Sequence, residues 1–167
     1  MLNQNNEAMK TTYLIFALFL VSFFQFISCI NSDEENFPLE GTYLSIAEIA
    51  GDWTANTAFY YSVSVGSAED YDVIEEGGAA TLNIQTNGRF TLTMTIPGEG
   101  NIVYTGQLGF DEDLLVVMFD DEPDDWEYFG ITLDDDDKLY ISGPAEFDFN
   151  GDTIPEEAIV SFNFDRD

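Results

Sequence analysis

Apolar and polar residues alternate with a period of two from Trp53 to the C-terminus, and no stretch shows a sustained helical stripe. The clearest example is 89–96, where Phe90, Leu92 and Met94 alternate with threonines. Such alternation places one set of side chains inside a sheet and the other in solvent. The pattern predicts about eight strands: a first strand from Trp53, followed by 79–85, 89–96, 101–110, 114–119, 126–133, 138–142 and 158–165.

Strict alternation along the first strand assigns its odd-numbered residues, Trp53 to Tyr61, to the inner face. Short polar turns separate the strands that follow, and Asn87-Gly88 is typical of a tight hairpin. Consecutive strands are therefore expected to pair as neighbours. Because an open meander would leave two exposed edges, the favoured fold is all-β, a small antiparallel up-and-down barrel.

The N-terminus carries a different pattern. An apolar run at 13–24 follows Lys10 and precedes Cys29, which is typical of a secretory signal and is shorter than a membrane span of roughly 20 residues. Met9 would be a more usual start for such a signal than Met1. Residues 26–29, Phe-Ile-Ser-Cys, resemble a bacterial lipobox. The resemblance implies that Cys29 is acylated and anchors the protein to a membrane; the alternative is an ordinary secreted or periplasmic protein.

The acidic segment that follows the cysteine, Ser-Asp-Glu-Glu at 32–35, resembles the export signal of Bacteroidota surface lipoproteins. That resemblance implies an outer-membrane lipoprotein exposed at the cell surface. The predicted organisation is a lipoprotein signal peptide at 1–28, an acidic flexible tether at 29–45 and a barrel domain at 46–167.

Composition narrows the classes of function. The chain of 167 residues has 33 acidic and 4 basic residues, a net charge of -29, which excludes nucleic-acid binding because phosphates require clustered cations. The absence of histidine and the single cysteine exclude Ser-His-Asp and Cys-His catalysis, histidine-bearing zinc sites and intramolecular disulfides. Paired carboxylates could hydrolyse glycosides, but the acidic residues cluster in turns. A non-enzymatic protein is expected, and its 45% hydrophobic content suffices for one folded core.

Two features of the barrel resemble lipocalins. Gly51-Asp52-Trp53 opens the first strand as the Gly-x-Trp signature does, and Arg166 ends the last strand, where lipocalins place an arginine against that tryptophan. Alternation puts Arg166 on the same strand face as the apolar residues 158–164. The middle motif, the disulfide and the long helix of full lipocalins are missing, so the chain is most similar to compact lipocalin-like domains of bacterial lipoproteins.

The resemblance implies an interior that could bind a small apolar ligand, with candidate contacts from inward-reading residues: Tyr61, Phe90, Leu92, Met94 and Tyr104. The alternative is an interaction or structural module whose barrel is filled by its own side chains.

One further motif has metal-binding spacing. Asp148, Asn150 and Asp152 match the first half of a calcium loop, but Thr153 and Ile159 stand where an EF-hand requires Gly and Glu. A Gly-Asp turn closing a hairpin is the alternative to a calcium site.

Overall fold

The structure, a computed structural model, describes residues 37–63 and 70–167. The signal segment predicted at 1–28, Cys29 and the tether up to residue 36 lie outside the described residues. The described part forms one short helix and nine strands: α1 (Ile46–Ile49), β1 (Gly51–Ser62), β2 (Asp70–Asp72), β3 (Ala79–Ile84), β4 (Arg89–Ile96), β5 (Gly100–Asp111), β6 (Leu114–Phe119), β7 (Glu127–Leu133), β8 (Lys138–Phe147) and β9 (Glu156–Arg166).

The strands form a closed antiparallel barrel. Their order is β2-β1-β3-β4-β5-β6-β7-β8-β9, and pairing of β1 with β9 closes the circle. Eight strands make the barrel, while β2 lies beside the second half of β1. The predicted all-β, up-and-down barrel is confirmed, and it is consistent with a lipocalin-like fold.

A bulge in β1 changes which residues face inward. The pairing of β1 with β9 shifts between Ala55 and Thr57, so alternation restarts one residue later. Tyr60 is therefore buried at 7% exposure, whereas Tyr61 is 46% exposed on the outer face. The prediction that Tyr61 faces the interior is wrong, because an inserted residue reverses every side chain beyond it.

Helix α1 covers the end of the barrel at which β1 begins. Ile46, Ile49 and Trp53 are fully buried there. The Glu48 carboxylate accepts hydrogen bonds from the Ser45 backbone N–H at 2.9 Å and from the Ser45 hydroxyl at 2.7 Å, which fixes the first turn of the helix. We call this end, where β1 begins and β9 finishes, the closed end, and the opposite one the open end.

The segment before α1 packs against the barrel. The Phe110 N–H donates to the Pro38 carbonyl at 2.8 Å, and the Thr42 N–H donates to the Glu112 carbonyl at 3.0 Å. The Phe37 ring meets the Trp126 ring edge-on at 4.6 Å. Residues 37–45 thus pack onto the barrel, with Phe37 beside Gly109 of β5 and Leu39 beside Gly88.

Candidate functional site at the open end of the barrel

The two ends of the barrel differ in how well their inward-facing side chains are covered. At the closed end Trp53, Phe110 and Phe164 are at most 1% exposed. Toward the open end, four inward-facing apolar residues on neighbouring strands remain partly exposed: Leu92, Ile102, Tyr104 and Phe119. Tyr104 is 36% exposed. The open end therefore presents an apolar inner wall to solvent.

Four of the five predicted ligand residues belong to this wall or to the core directly beside it. Leu92 of β4 pairs with Tyr104 of β5, while Phe90 pairs with Gly106 and Met94 with Ile102. Phe90 and Met94 are buried, at 5% and 1% exposure. Tyr61 is separated from them because it lies outside the barrel.

Aromatic contacts connect the wall on β4, β5 and β6. Phe119 lies edge-on to both Phe90 and Tyr104, with ring centroids 5.9 Å apart in each pair. Sequence analysis missed Phe119, although its place two residues after the buried Val117 on an alternating strand would have indicated an inward side chain.

A second aromatic group lies on the opposite wall. The ring of Tyr60 stacks on Phe147 at 4.5 Å, and Tyr71 lies 5.0 Å from Phe147. The Tyr60 hydroxyl donates to the Met94 sulfur at 3.6 Å, which connects this group to β4. Burial is the main cause that raises the pKa of Tyr60 well above its usual range, and the nearby Tyr104 and Glu99 add to the increase. Tyr60 is therefore a neutral, largely buried donor at neutral pH.

The Glu127 carboxylate lies on the inner surface beside this wall. Glu127 of β7 pairs with the buried Val117, and cross-strand partners project from the same face. Burial raises the pKa of Glu127, and the carboxylates of Asp125, Glu122 and Glu146 add to the increase. Alternation alone does not identify Glu127 as an inward residue, because the inner face of β7 is determined by its pairing with β6.

All three basic residues of the described ranges are engaged away from this wall. Arg89 forms a bidentate ion pair with Asp120 on the outer surface, with Nη1–Oδ1 and Nη2–Oδ2 distances of 2.7 and 2.6 Å. The bonds from Arg89 and then from Thr105 lower the pKa of Asp120 to about 2. Lys138 pairs with Asp165 at 2.8 Å, and Arg166 lies at the closed end. Within 37–63 and 70–167, no basic side chain is left to meet an anionic ligand at the open end.

The predicted pair of Trp53 and Arg166 is in contact at the closed end. The Arg166 guanidinium carbon lies 4.1 Å from the centre of the Trp53 ring. The same guanidinium donates to the carbonyls of Glu48 at 2.7 Å and Ala50 at 2.9 Å. Trp53 Nε1 donates to the Ile49 carbonyl at 2.9 Å. The pair thus also fastens the last turn of α1 to the barrel.

The acidic loop between β8 and β9 directs its oxygens at its own backbone. Asp148 Oδ1 accepts the N–H of Gly151 at 2.7 Å, and Oδ2 accepts the N–H of Thr153 at 2.7 Å. The side chains of Asn150 and Asp152 accept N–H groups two residues further along, both at 2.9 Å. These are Asx turns. Among the described residues no group of three acidic side chains is arranged to hold a metal ion.

Comparison with known proteins adds no relative. The sequence matches no protein-family model, and no curated protein matches it significantly. In the two described ranges, no helix is long and apolar enough to cross a membrane. The geometry of the barrel is therefore the basis for inferring a function.

Proposed function

We propose that this protein is a non-enzymatic, membrane-anchored lipoprotein whose barrel binds a small apolar ligand at its open end. The observation that carries the ligand proposal is a group of adjoining apolar side chains on β4, β5 and β6 at the open end. Leu92, Ile102, Tyr104 and Phe119 face inward there and remain partly exposed, whereas Trp53, Phe110 and Phe164 are buried at the closed end, where Ile131 and Leu133 keep partial exposure. Binding an apolar molecule there would remove this surface from water, which is worth about 25 cal/mol per Å².

The anchoring part of the proposal rests on the sequence before the barrel. A short apolar run followed by Ser28 and Cys29 supports acylation of the cysteine, and the acidic residues 32–35 support placement on the outer face of an outer membrane. Each buried methylene of an acyl chain contributes about 0.8 kcal/mol, so several chains would hold the domain stably. Such a protein would keep its ligand close to the bilayer.

A solid-packed interaction module is the competing function, and a specific observation favours it. Gly106 lies at an inward-facing position of β5, but it leaves no free space, because a Cβ atom there would lie 2.6 Å from the Phe90 ring. The stack of Tyr60 on Phe147 also fills part of the interior. A small barrel of eight strands can be filled by side chains in this way.

Binding of a neutral fluorophore, N-phenyl-1-naphthylamine, by the barrel domain distinguishes the two functions. We expect one fluorophore per domain, and Tyr104→Ser should weaken its affinity by about threefold to tenfold because an apolar contact is lost. Tyr61→Ser is the matched control, since this tyrosine is exposed on the outer face. Absence of saturable binding, or equal effects of the two variants, would favour the packed module. Native mass spectrometry of the protein from its own host would show a retained ligand.

A further inference from the structure

The barrel wall is lower on one side of the open end. The ladder between β4 and β5 extends to Ile96 and Gly100, whereas the ladder between β5 and β6 begins only at Gly106 and Phe119. Residues 100–104 of β5 thus project beyond the end of β6.

The wall also becomes lower on the other side of β6 and β7, next to β8. The ladder between β8 and β9 extends to Phe147 and Glu156, whereas β7 pairs with β8 only up to Gly130 and Ser142. The short strands β6 and β7 therefore end below two taller hairpins, and the loop 120–126 connects them there. We call this lower part of the wall the side notch; residues 100–104 and 143–147 flank it, and Phe119 and Glu127 lie at its base.

The side notch leads to the apolar inner wall. Tyr104 on its β5 flank contacts Phe119 at its base, and both side chains are partly exposed. An apolar body that entered through the side notch would cover these two rings. Aromatic faces also attract cations, because their π-systems are electron-rich.

The charges around the side notch have one sign. Glu127 is on the inner face at its base, and the loop 120–126 that joins β6 to β7 carries five further acidic residues. Only Asp120 among them is neutralised, by Arg89. A carboxylate or sulfate group brought to this position would meet repulsion, whereas an ammonium group would meet a carboxylate that burial has partly stripped of water.

We propose that the side notch is the entrance for a cationic amphiphile, whose apolar body lies on Tyr104 and Phe119 and whose ammonium group faces Glu127. Anionic amphiphiles of the same chain length are rejected. This inference rests on the binding function proposed above and specifies the class of ligand.

Competition for the neutral fluorophore tests the inference. Decyltrimethylammonium and decyl sulfate, each below its micelle concentration, would be compared at constant ionic strength as displacers. We expect the cation to displace the fluorophore with at least about tenfold higher affinity than the anion, which corresponds to about 1.4 kcal/mol. Displacement reports on binding at the barrel site, and a matched pair of variants separates the contact with Glu127 from the diffuse attraction of cations to the acidic surface.

Glu127→Gln and Asp113→Asn form the matched pair of variants. Each removes one negative charge, but Asp113 is exposed in the turn between β5 and β6 at the closed end. Glu127→Gln should weaken binding of the cation about threefold or more relative to binding of the neutral fluorophore, while Asp113→Asn should leave this ratio of affinities unchanged. Glu127→Gln should fold, because burying ionised Glu127 opposes folding at neutral pH, as its raised pKa indicates.

The outcomes separate the two proposals. If decyl sulfate competes as well as the cation, or Glu127→Gln behaves like Asp113→Asn, cation selectivity is overturned while the binding function stands. If the fluorophore does not bind to the wild-type domain, the binding function fails and the selectivity with it.

Discussion

Arg166 connects three groups at the closed end: the Trp53 indole beneath it and the carbonyls of Glu48 and Ala50 beside it. Those carbonyls belong to the end of α1, where helical C=O groups lack partners and carry negative charge. Bonds from a cation to such groups are stronger than neutral ones. The pair therefore stabilises the helix that seals the barrel as well as the junction of first and last strands.

Alanine substitutions at Trp53 and Arg166 test this coupling. Trp53→Ala removes a fully buried ring and should lower the free energy of unfolding by about 3 to 5 kcal/mol. Arg166→Ala removes the ring contact and two charge-assisted hydrogen bonds and should cost about 2 to 3 kcal/mol. The double variant should lose less than the sum, because the residues share an interaction. Urea denaturation measures all three.

The control for this cycle is Arg89→Ala, which removes an arginine whose ion pair with Asp120 is on the surface. It should cost less than about 1 kcal/mol, because exposed ion pairs contribute little. Strict additivity of Trp53→Ala and Arg166→Ala, together with an effect of Arg166→Ala no larger than the control, would contradict the coupling.

At the scale of elements, alternation predicted the eight strands of the barrel but not the short β2, whose three residues are too few to show a pattern. In β4, Phe90 and Met94 are buried on one face, as the sequence pattern indicates. Prediction failed in the second half of β1, because the bulge near Ala55 depends on register with β9, a strand about a hundred residues away. The ends of β8 and β9 were also missed, since Gly143, Pro144 and Glu146 interrupt the alternating apolar pattern of β8.

The loop between β8 and β9 shows how one side chain can determine a connection. Asp148 accepts three backbone N–H groups, from Gly151, Asp152 and Thr153, and Thr153 adopts a positive φ of 72°. Asp148→Ala should lower the free energy of unfolding by about 1 kcal/mol, because these N–H groups exchange a protein partner for water. Thermal or urea denaturation measures this loss.

Calcium distinguishes a structural loop from a metal site. Because the loop oxygens already accept backbone hydrogen bonds, millimolar calcium should shift the melting temperature of wild type and of Asp152→Ala equally, through screening of the acidic surface. A rise confined to wild type would follow ligand linkage and would establish a calcium site at Asp148, Asn150 and Asp152.

At the scale of the whole molecule, alternation was sufficient to select Phe90, Leu92, Met94 and Tyr104 as inward residues. It could not locate the side notch, since that lower part of the wall arises from differences in length between neighbouring strands, which no local pattern encodes. Composition shows that the surface is acidic. The sequence does not show that Arg89, Lys138 and Arg166 form their hydrogen bonds away from the inner wall, because those contacts depend on the closed barrel. The proposed cation selectivity therefore depends on topology and charge together.

The anchor proposed at Cys29 would determine where this acidic barrel works. Mass spectrometry of protein extracted from membranes should find acyl mass on a fragment that begins at Cys29. Cys29→Ala should prevent this modification. The domain should then either be released from the membrane fraction or be retained through an uncleaved signal segment. Release is expected once the signal segment is removed, because a net charge of -29 opposes direct adsorption to anionic lipid. Ser32→Ala, three residues beyond the cysteine, is the control and should remain acylated and membrane-bound. A wild-type protein with an unmodified N-terminus in the soluble fraction would show that the lipobox resemblance does not direct acylation, and ligand binding by the barrel would then belong to a secreted or periplasmic protein.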